Sequence, residues 1–215
     1  MLRSPKLYLL LSSLVFLSCR FSNYQIKSPS SHKETVTSNQ IHPVIHPAGT
    51  ATKYKASIDV VNKHFSGLIV VKKTDSVTTH VVFITELGMK MFDLEKKDTA
   101  IQMAYVFEPM NKPALVNALK TNFTHIFLLD VFDKTLESGN TKNNERVLAF
   151  KNEKEHRFFV MGDSAGVLNR QALFHKRKKT ALINYQFDFS ARTYSKIKSV
   201  QYGLPKIKIE LNTIN

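Results

Sequence analysis

A pentapeptide in the C-terminal half is the part of this sequence that most resembles a catalytic motif. Residues 162–166, GDSAG, fit the G-x-S-x-G pattern that holds the nucleophile of serine esterases and lipases, which would be Ser164 here. In those enzymes an acidic residue and then a histidine follow the serine. His175 is the only histidine downstream, and no Asp or Glu lies between Ser164 and His175. The motif therefore lacks its catalytic partners.

The segments around Ser164 favour a turn instead of a nucleophile. A hydrolase elbow joins a strand to a helix within a mainly parallel sheet, but residues 167–176 are more typical of a strand than of a helix, and residues 157–161 also have the pattern of a strand. Gly, Asp and Ser are common turn residues. We therefore predict that the pentapeptide is the turn of a hairpin and that the protein is not an enzyme.

Metal and cofactor chemistry is not indicated either. His42 and His46 have a spacing that suits a metal, but Pro43 and Pro47 prevent the helix that would align them. The sequence has no glycine-rich phosphate loop and no Cys and His cluster. We expect no metal and no cofactor.

The first 18 residues have the organisation of a secretory signal. Arg3 and Lys6 precede an apolar run, residues 7–17, which is followed by Ser18 and Cys19. This run is shorter than the roughly 20 residues that a membrane span needs. A lone Cys at this place resembles the bacterial lipoprotein signal, in which the Cys is acylated. The alternative is an ordinary signal cysteine that is discarded.

Residues 19–53 are rich in Ser, Thr, Asn, His and Pro, which predicts a flexible linker before a domain spanning residues 54–215. The chain carries 31 Lys and Arg against 17 Asp and Glu, a formal net charge of +14. Removal of residues 1–18 leaves about +12, because Arg3 and Lys6 are lost. In an exported protein this charge favours anionic lipid headgroups, and we expect no nucleic-acid partner.

From Tyr54 onward the pattern is that of strands joined by short connections, which require antiparallel neighbours. One segment differs: after Pro113, Leu115, Leu119 and Phe123 recur at helical spacing. Residues 133–146 are polar and predict a loop. The sequence therefore predicts a mainly β fold, a curved antiparallel sheet that forms an incomplete, half-open barrel of about 10–11 strands with a helical insertion over its concave face.

This order of elements resembles the lipoprotein-localisation superfamily of LolA carriers and LolB receptors, and more narrowly the LolB-like lipoproteins. The resemblance covers roughly residues 54–211. Residues 56–73 (ASIDVVNKHFSGLIVVKK) and 80–95 (HVVFITELGMKMFDLE) carry it through their hydrophobic pattern, Ser66-Gly67 and Glu86-Leu87-Gly88.

Members of that superfamily hold acyl chains in an apolar cavity between the sheet and its helices. The resemblance implies that acyl chains of lipids or lipoproteins are the ligand here. The implied cavity residues are Leu68, Val70, Leu115, Leu119, Phe123, Ile183, Tyr185 and Phe187. Leu87 stands where a LolB receptor has an exposed Leu that contacts the membrane. The alternative for the apolar residues is a packed core without a cavity.

The resemblance also implies a location and partners. We expect an outer-membrane lipoprotein on the periplasmic face, anchored through Cys19, with a periplasmic carrier protein as a further partner. Residues 20–25, RFSNYQ, lack the acidic residues that resemble retention or surface-export signals. The alternative function is that of a structural or assembly lipoprotein that binds a protein partner and carries no lipid.

Overall fold

The computed structural model describes most of the chain beyond the N-terminal segment. The described residues are 35–37, 40–45, 49–60, 62–131, 134–141, 143–163 and 166–214. The strands are β1 Thr35–Thr37, β2 Ala51–Val60, β3 Lys63–Lys73, β4 Thr78–Thr85, β5 Lys90–Lys97, β6 Ala100–Val106, β7 Thr135–Asn140, β8 Arg146–Lys151, β9 Glu155–Met161, β10 Leu168–His175, β11 Lys178–Asp188, β12 Thr193–Gln201 and β13 Ile207–Ile214. A 3-10 turn, Glu108–Met110, precedes one α-helix, α1, Pro113–Ile126.

The thirteen described strands form a single sheet in the order β1-β7-β8-β9-β10-β11-β12-β13-β2-β3-β4-β5-β6. Every pairing in it is antiparallel. β1 and β6 are its two edges, and the sheet is not closed. The predicted fold, a curved antiparallel sheet with a helical insertion, is confirmed.

The alternation of side chains along the strands determines which face of the sheet is the core. In β2, Tyr54, Ala56 and Ile58 are buried, whereas Lys53 and Lys55 between them are exposed. Successive side chains of a strand point to opposite faces, so one face of β2 enters the core and the other carries lysines. The core lies on the concave side, where α1 packs.

Two strands are additional to those predicted. β7 lies inside the predicted loop of residues 133–146, and Leu136 is its only fully buried side chain. The sequence of β7, TLESGN, has no apolar alternation that would reveal a strand. β1 lies inside the predicted linker and pairs with β7, from Thr35 opposite Glu137 to Thr37 opposite Thr135.

Part of the predicted linker belongs to the folded domain, which corrects the boundary at residue 53. Ile41 and Val44 are 6% and 4% exposed and pack in the core. The backbone N–H of His42 donates to the carbonyl oxygen of Gly166 at 2.6 Å. The apolar residues of this segment, Ile41, Val44 and Ile45, do not form a periodic pattern, so the sequence did not indicate this packing.

In the part of the chain that the structure describes, α1 is too short and too polar to cross a membrane.

Gly67 allows β3 and β4 to approach each other closely. A Cβ atom at this position would lie 2.1 Å from the carbonyl oxygen of Ile84 and 2.8 Å from the Cα of Thr85. Both are backbone atoms inside a strand pair, so they cannot move aside without disturbing the pairing. Only glycine fits here.

We predict that Gly67→Ala lowers the free energy of unfolding by about 2 kcal/mol or more, because the added methyl group overpacks the strand pair. Gly203→Ala is the matched control. A Cβ atom at Gly203 meets no atom within 4 Å, so its effect should stay within about 0.5 kcal/mol. Urea unfolding followed by circular dichroism measures both. Equal stabilities of the two variants would contradict this account of Gly67.

Candidate functional site

Helix α1 covers the concave face of the sheet, lying against β6 and β12. Its buried face includes Leu119 and Phe123, with exposed fractions of 1% and 0%, and Ile126. Leu115, nearer the N-terminal end, is only partly buried against the core. The structure therefore places the three predicted helix residues, Leu115, Leu119 and Phe123, on the side of α1 that faces the sheet.

A row of aromatic rings connects α1 to the sheet. Phe123 lies 5.1 Å, centroid to centroid, from Phe92 on β5 and 6.2 Å from Phe127 just after the helix. Phe92 contacts Phe83 on β4 at 5.6 Å, and Phe127 contacts Tyr54 on β2 at 5.8 Å. These spacings are typical of attractive ring pairs. Aromatic and aliphatic side chains thus occupy the space between helix and sheet.

The predicted residues of β11 also face this interior. Ile183 and Tyr185 are buried in the core, and Phe187 is partly buried against it. The ring of Phe187 lies 5.1 Å from that of Tyr194 on β12 and 4.8 Å from that of His42. His42 therefore packs in an aromatic group at the end of the half-barrel where residues 40–45 cross it.

The predicted positions on β3 are wrong by one residue. Ile69 and Val71 face the core, whereas Leu68 and Val70 are half-buried on the opposite, outer face. All four residues are apolar, so the hydrophobic pattern does not show which face is inside. A shift of one position exchanges the two faces of a strand. Leu68 and Val70 therefore do not line the space under α1.

Leu87 lies at the tip of the β4–β5 hairpin and is 92% exposed. The backbone N–H of Gly88 donates to the carbonyl oxygen of Thr85 at 2.9 Å, and Gly88 has a φ of 81°. Glycine adopts this left-handed conformation without strain. Leu204, in the β12–β13 turn, is 98% exposed. This turn lies at the same end of the sheet as Leu87, because Ile207 at the start of β13 pairs with Val60 at the end of β2, and the β2–β3 and β4–β5 turns share that end.

A buried polar cluster lies beside the C-terminal end of α1, and the sequence analysis did not identify it. Arg157 on β9 donates to both carboxylate oxygens of Asp130, at 3.1 and 3.0 Å. It also contacts the ring of His125 on α1. Gln171 on β10 accepts from Arg157 Nε at 3.2 Å and donates to the carbonyl oxygen of His125 at 3.1 Å. Tyr185 donates to the carbonyl oxygen of Ile126 at 3.0 Å.

This cluster holds the end of the helix on the sheet. Tyr185 and Gln171 bond the carbonyl oxygens of the last turn of α1, which no residue within the helix can bond. Arg157 fixes the segment after the helix through Asp130. The sequence signal was a charged residue, Arg157, at a core position of the apolar strand HRFFVM.

The surroundings of the cluster shift its pKa values. Burial, with the Arg157 guanidinium beside it, lowers the pKa of His125 to about 3. Burial alone would raise the pKa of Asp130, but the charge and hydrogen bonds of Arg157 hold it below its ordinary value. Burial raises the pKa of Tyr185 well above its ordinary value. At neutral pH the cluster therefore contains one ion pair, a neutral histidine and a neutral tyrosine.

A second polar contact fixes the middle of α1. Asn122 is 3% exposed and donates to the carbonyl oxygen of Ala118 at 2.8 Å and to the side-chain oxygen of Gln201 on β12. Ser199 on β12 donates to the Asn122 side-chain oxygen at 3.3 Å. These hydrogen bonds fix the rotation of α1 about its own axis, on a surface that is otherwise apolar.

The topology around the pentapeptide contradicts the hydrolase interpretation. Ser164 itself lies outside the described residues, but β9 and β10 on either side pair antiparallel. The backbone N–H of Gly162 donates to the carbonyl oxygen of Val167 at 2.8 Å. Gly166 has a φ of 81°, and a Cβ atom there would lie 2.7 Å from the carbonyl oxygen of Gln40. The predicted hairpin turn is therefore confirmed.

Three further predictions lie outside the described residues: the signal segment of residues 1–18, the acylation of Cys19 and the role of His46. Within the described ranges, no three His, Cys, Asp or Glu side chains are grouped as metal ligands would be.

No protein-family model matches the chain, and no curated protein sequence matches it. Solved structures do match. A LolA superfamily protein from Nitrosomonas europaea superposes with a TM-score of 0.51 at 8% identity, covering 83% of this chain and 88% of that one. This chain therefore shares the fold of that protein, and the resemblance drawn from the sequence is confirmed for the fold.

Two more distant structures also match. One is a domain assigned provisionally as an outer membrane lipoprotein-sorting protein, from Vibrio parahaemolyticus, with 6% identity and a TM-score of 0.43 over 77% of this chain and 83% of that one. The other is a DUF1329 family protein from Desulfovibrio piger, with 8% identity and a TM-score of 0.41 over 77% of this chain and 84% of that one.

The buried histidine makes stability depend on pH. His125 has a pKa of about 3 in the folded protein and about 6.5 in the unfolded chain. Between these values the unfolded chain binds the proton and the folded protein does not, so stability falls as pH decreases. From pH 7.5 to pH 5 this amounts to about 2 kcal/mol. Asp130 contributes little above pH 5, because an unfolded Asp has a pKa of about 3.9 and the folded pKa of Asp130 is lower still, so the carboxyl group is ionised in both states.

We predict that His125→Asn removes this fall in the free energy of unfolding between pH 7.5 and pH 5. Urea unfolding of the unsubstituted protein and the variant at both pH values gives the difference. The control is His64→Asn, since His64 is exposed on the β2–β3 turn. An equal pH dependence in the unsubstituted protein and His125→Asn would show that His125 is not buried in the neutral form.

Proposed function

We propose that this protein is an envelope lipoprotein that binds acyl chains of lipids or lipoproteins between α1 and the concave face of the sheet, and that it acts in lipid or lipoprotein transfer to the outer membrane. The observation that carries the proposal is that a helix covers the concave face of the sheet. In the described part of the chain, the single helix α1, 14 residues long, covers the apolar concave face of a sheet whose edges do not meet.

The contact between α1 and the sheet is one that an acyl chain can replace. The apolar interactions in this contact do not depend on direction. Burying each methylene group stabilises the contact by about 0.8 kcal/mol, whether the partner is a side chain or a lipid. A chain of about sixteen carbons therefore contributes on the order of 10 kcal/mol, which offsets the cost of separating helix and sheet. The LolA superfamily fold of the N. europaea protein supports this use of the interior.

The two ends of α1 are held unequally, which defines where the helix opens. Its C-terminal end is bonded to Tyr185 and Gln171 and lies beside the Arg157–Asp130 ion pair. Its N-terminal end begins at the exposed Pro113, and Leu115 is only partly buried. We infer that α1 moves away from the sheet from Pro113 to beyond Asn122, and that its last turn, held by Tyr185 and Gln171, is the hinge. An acyl chain then enters beside Leu115.

The location of the protein is part of the same proposal. An acylated Cys19 anchors the chain in the outer membrane on its periplasmic side, and a periplasmic carrier protein supplies the cargo. The exposed Leu87 and Leu204 share one end of the sheet. Lys63 and Lys206 are exposed near the same turns. Apolar tips among basic residues suit the surface of an anionic membrane.

A disulfide between α1 and β12 tests whether the helix must move. Asn122 and Ser199 are in direct hydrogen-bond contact at 3.3 Å, so cysteines are placed at both positions, and loss of free thiols on oxidation verifies the disulfide that holds the helix down. The background is Cys19→Ala, which leaves no other cysteine. Because apparent affinity scales with the fraction of open protein, we expect fluorescent fatty acid to bind about tenfold or more weakly to the oxidised protein. Reduction should restore binding.

The control pair is Asp59→Cys with His64→Cys, two residues in contact at 2.7 Å on the exposed β2–β3 hairpin. Oxidation of this pair should leave fatty-acid binding unchanged. Equal binding by the oxidised and reduced Asn122 and Ser199 double variant would contradict a moving cover. If the reduced protein binds no fatty acid either, the structural or assembly function without lipid cargo would replace the proposal.

Tryptophan substitution tests the membrane contact of Leu87, because the chain contains no Trp. In the full chain, Leu87→Trp should shift its emission to shorter wavelength when anionic phosphatidylglycerol vesicles are added, and brominated lipid should quench it. Phe189→Trp is the matched control, since Phe189 is 63% exposed at the opposite end of the sheet. An equal response from both variants, or none from Leu87→Trp, would contradict the assigned contact.

A further inference from the structure

A second apolar cluster lies on the outer face of the sheet, remote from α1. We call it the outer patch; its members are Val147, Ala149, Phe158, Val160, Ala172 and Phe174 on β8, β9 and β10. None is more than 2% exposed, and Leu182 on β11 lies partly buried at its border. The rings of Phe158 and Phe174 meet edge to face at 5.8 Å.

These residues alternate with core residues, so they point away from the concave interior. Leu148 and Phe159, their neighbours along β8 and β9, pack in the core under α1. The described segments outside the sheet, α1 and residues 40–45, also pack in that core. An outward-facing phenylalanine on a sheet is not buried by its strand neighbours alone. Neither α1 nor residues 40–45 therefore cover the outer patch.

We propose that residues 21–26, FSNYQI, cover the outer patch. These residues lie outside the described part of the chain. Phe21, Tyr24 and Ile26 supply three large apolar side chains, and residues 27–34, KSPSSHKE, supply none. The apolar group therefore sits at one end of a polar spacer whose other end is β1.

The position of β1 brings these residues within reach. β1 is an edge strand, separated from β8 by β7 alone and from β10 by β7, β8 and β9. At about 4.8 Å per strand, the outer patch lies about 10 to 19 Å from β1. Eight extended residues span up to about 26 Å. Residues 27–34 are therefore long enough to carry residues 21–26 from β1 onto the outer patch.

This contact would fix the membrane anchor against one side of the domain. Cys19 precedes Phe21 by two residues, so its acyl group would lie beside β8, β9 and β10 instead of at the end of a long free tether. The proposal is independent of acyl-chain binding under α1, since it involves the opposite face of the sheet.

The test uses a single tryptophan at the border of the outer patch, Leu182→Trp, in the full chain made by cell-free translation so that no segment is removed. The first arm adds Phe21→Ser, Tyr24→Ser and Ile26→Ser. The second arm adds Leu10→Ser, Leu14→Ser and Phe16→Ser, a matched change in the apolar run of residues 7–17. Circular dichroism confirms that each protein is folded.

We expect the first arm to shift the emission of this tryptophan to longer wavelength and to increase its quenching by acrylamide, and the second arm to change neither. Leu68→Trp, on the outer face of β3, is the control reporter and should not respond to either arm.

Three outcomes would overturn the proposal. A response to the second arm alone would assign the outer patch to residues 7–17. No response to either arm would show that neither segment covers it. A response that depends on protein concentration would assign the cover to a second copy of the chain.

Discussion

The packing of one helix against the concave face of an unclosed sheet is the contact on which the rest of the structure depends. A strongly curved antiparallel sheet has a concave face of apolar side chains that a closed barrel would bury by itself. Here the edge strands β1 and β6 do not meet. α1 therefore supplies the missing wall, with Phe123 among the aromatic rings of β4 and β5. Because α1 is the helix of that wall among the described residues, its detachment would expose the interior beneath it.

Polar groups determine which end of α1 is held firmly on the sheet. A buried charge is costly unless it is paired and hydrogen-bonded, and the buried Arg157 meets this condition through the partly exposed Asp130, His125 and Gln171. The bonded groups lie at the C-terminal end of α1, whereas the N-terminal end is held by partly buried apolar side chains such as Leu115. This difference allows a hinged opening in place of full dissociation. The same arrangement accounts for a neutral histidine in the interior.

Much of the architecture could be predicted from the sequence, because strand alternation and the helical spacing of Leu115, Leu119 and Phe123 are local patterns. The hairpin turn at residues 162–166 was predictable for the same reason. The features that could not be predicted depend on contacts between residues far apart in the sequence. Leu68 to Val71 are all apolar, so only the sheet curvature shows that Ile69 and Val71 face inward. Ile41 and Val44 became core residues by crossing one end of the sheet, and the partners of Arg157 come from separate elements.

If α1 is a movable cover over an acyl-chain site, amide hydrogen exchange along residues 113–126 should depend on a bound long-chain fatty acid. In the free protein we expect fast exchange near Leu115 and slower exchange near Ile126, and we expect exchange in the N-terminal half to change when fatty acid is bound. Uniform exchange as slow as that of the central strands β2 and β13, unchanged by fatty acid, would contradict a movable cover.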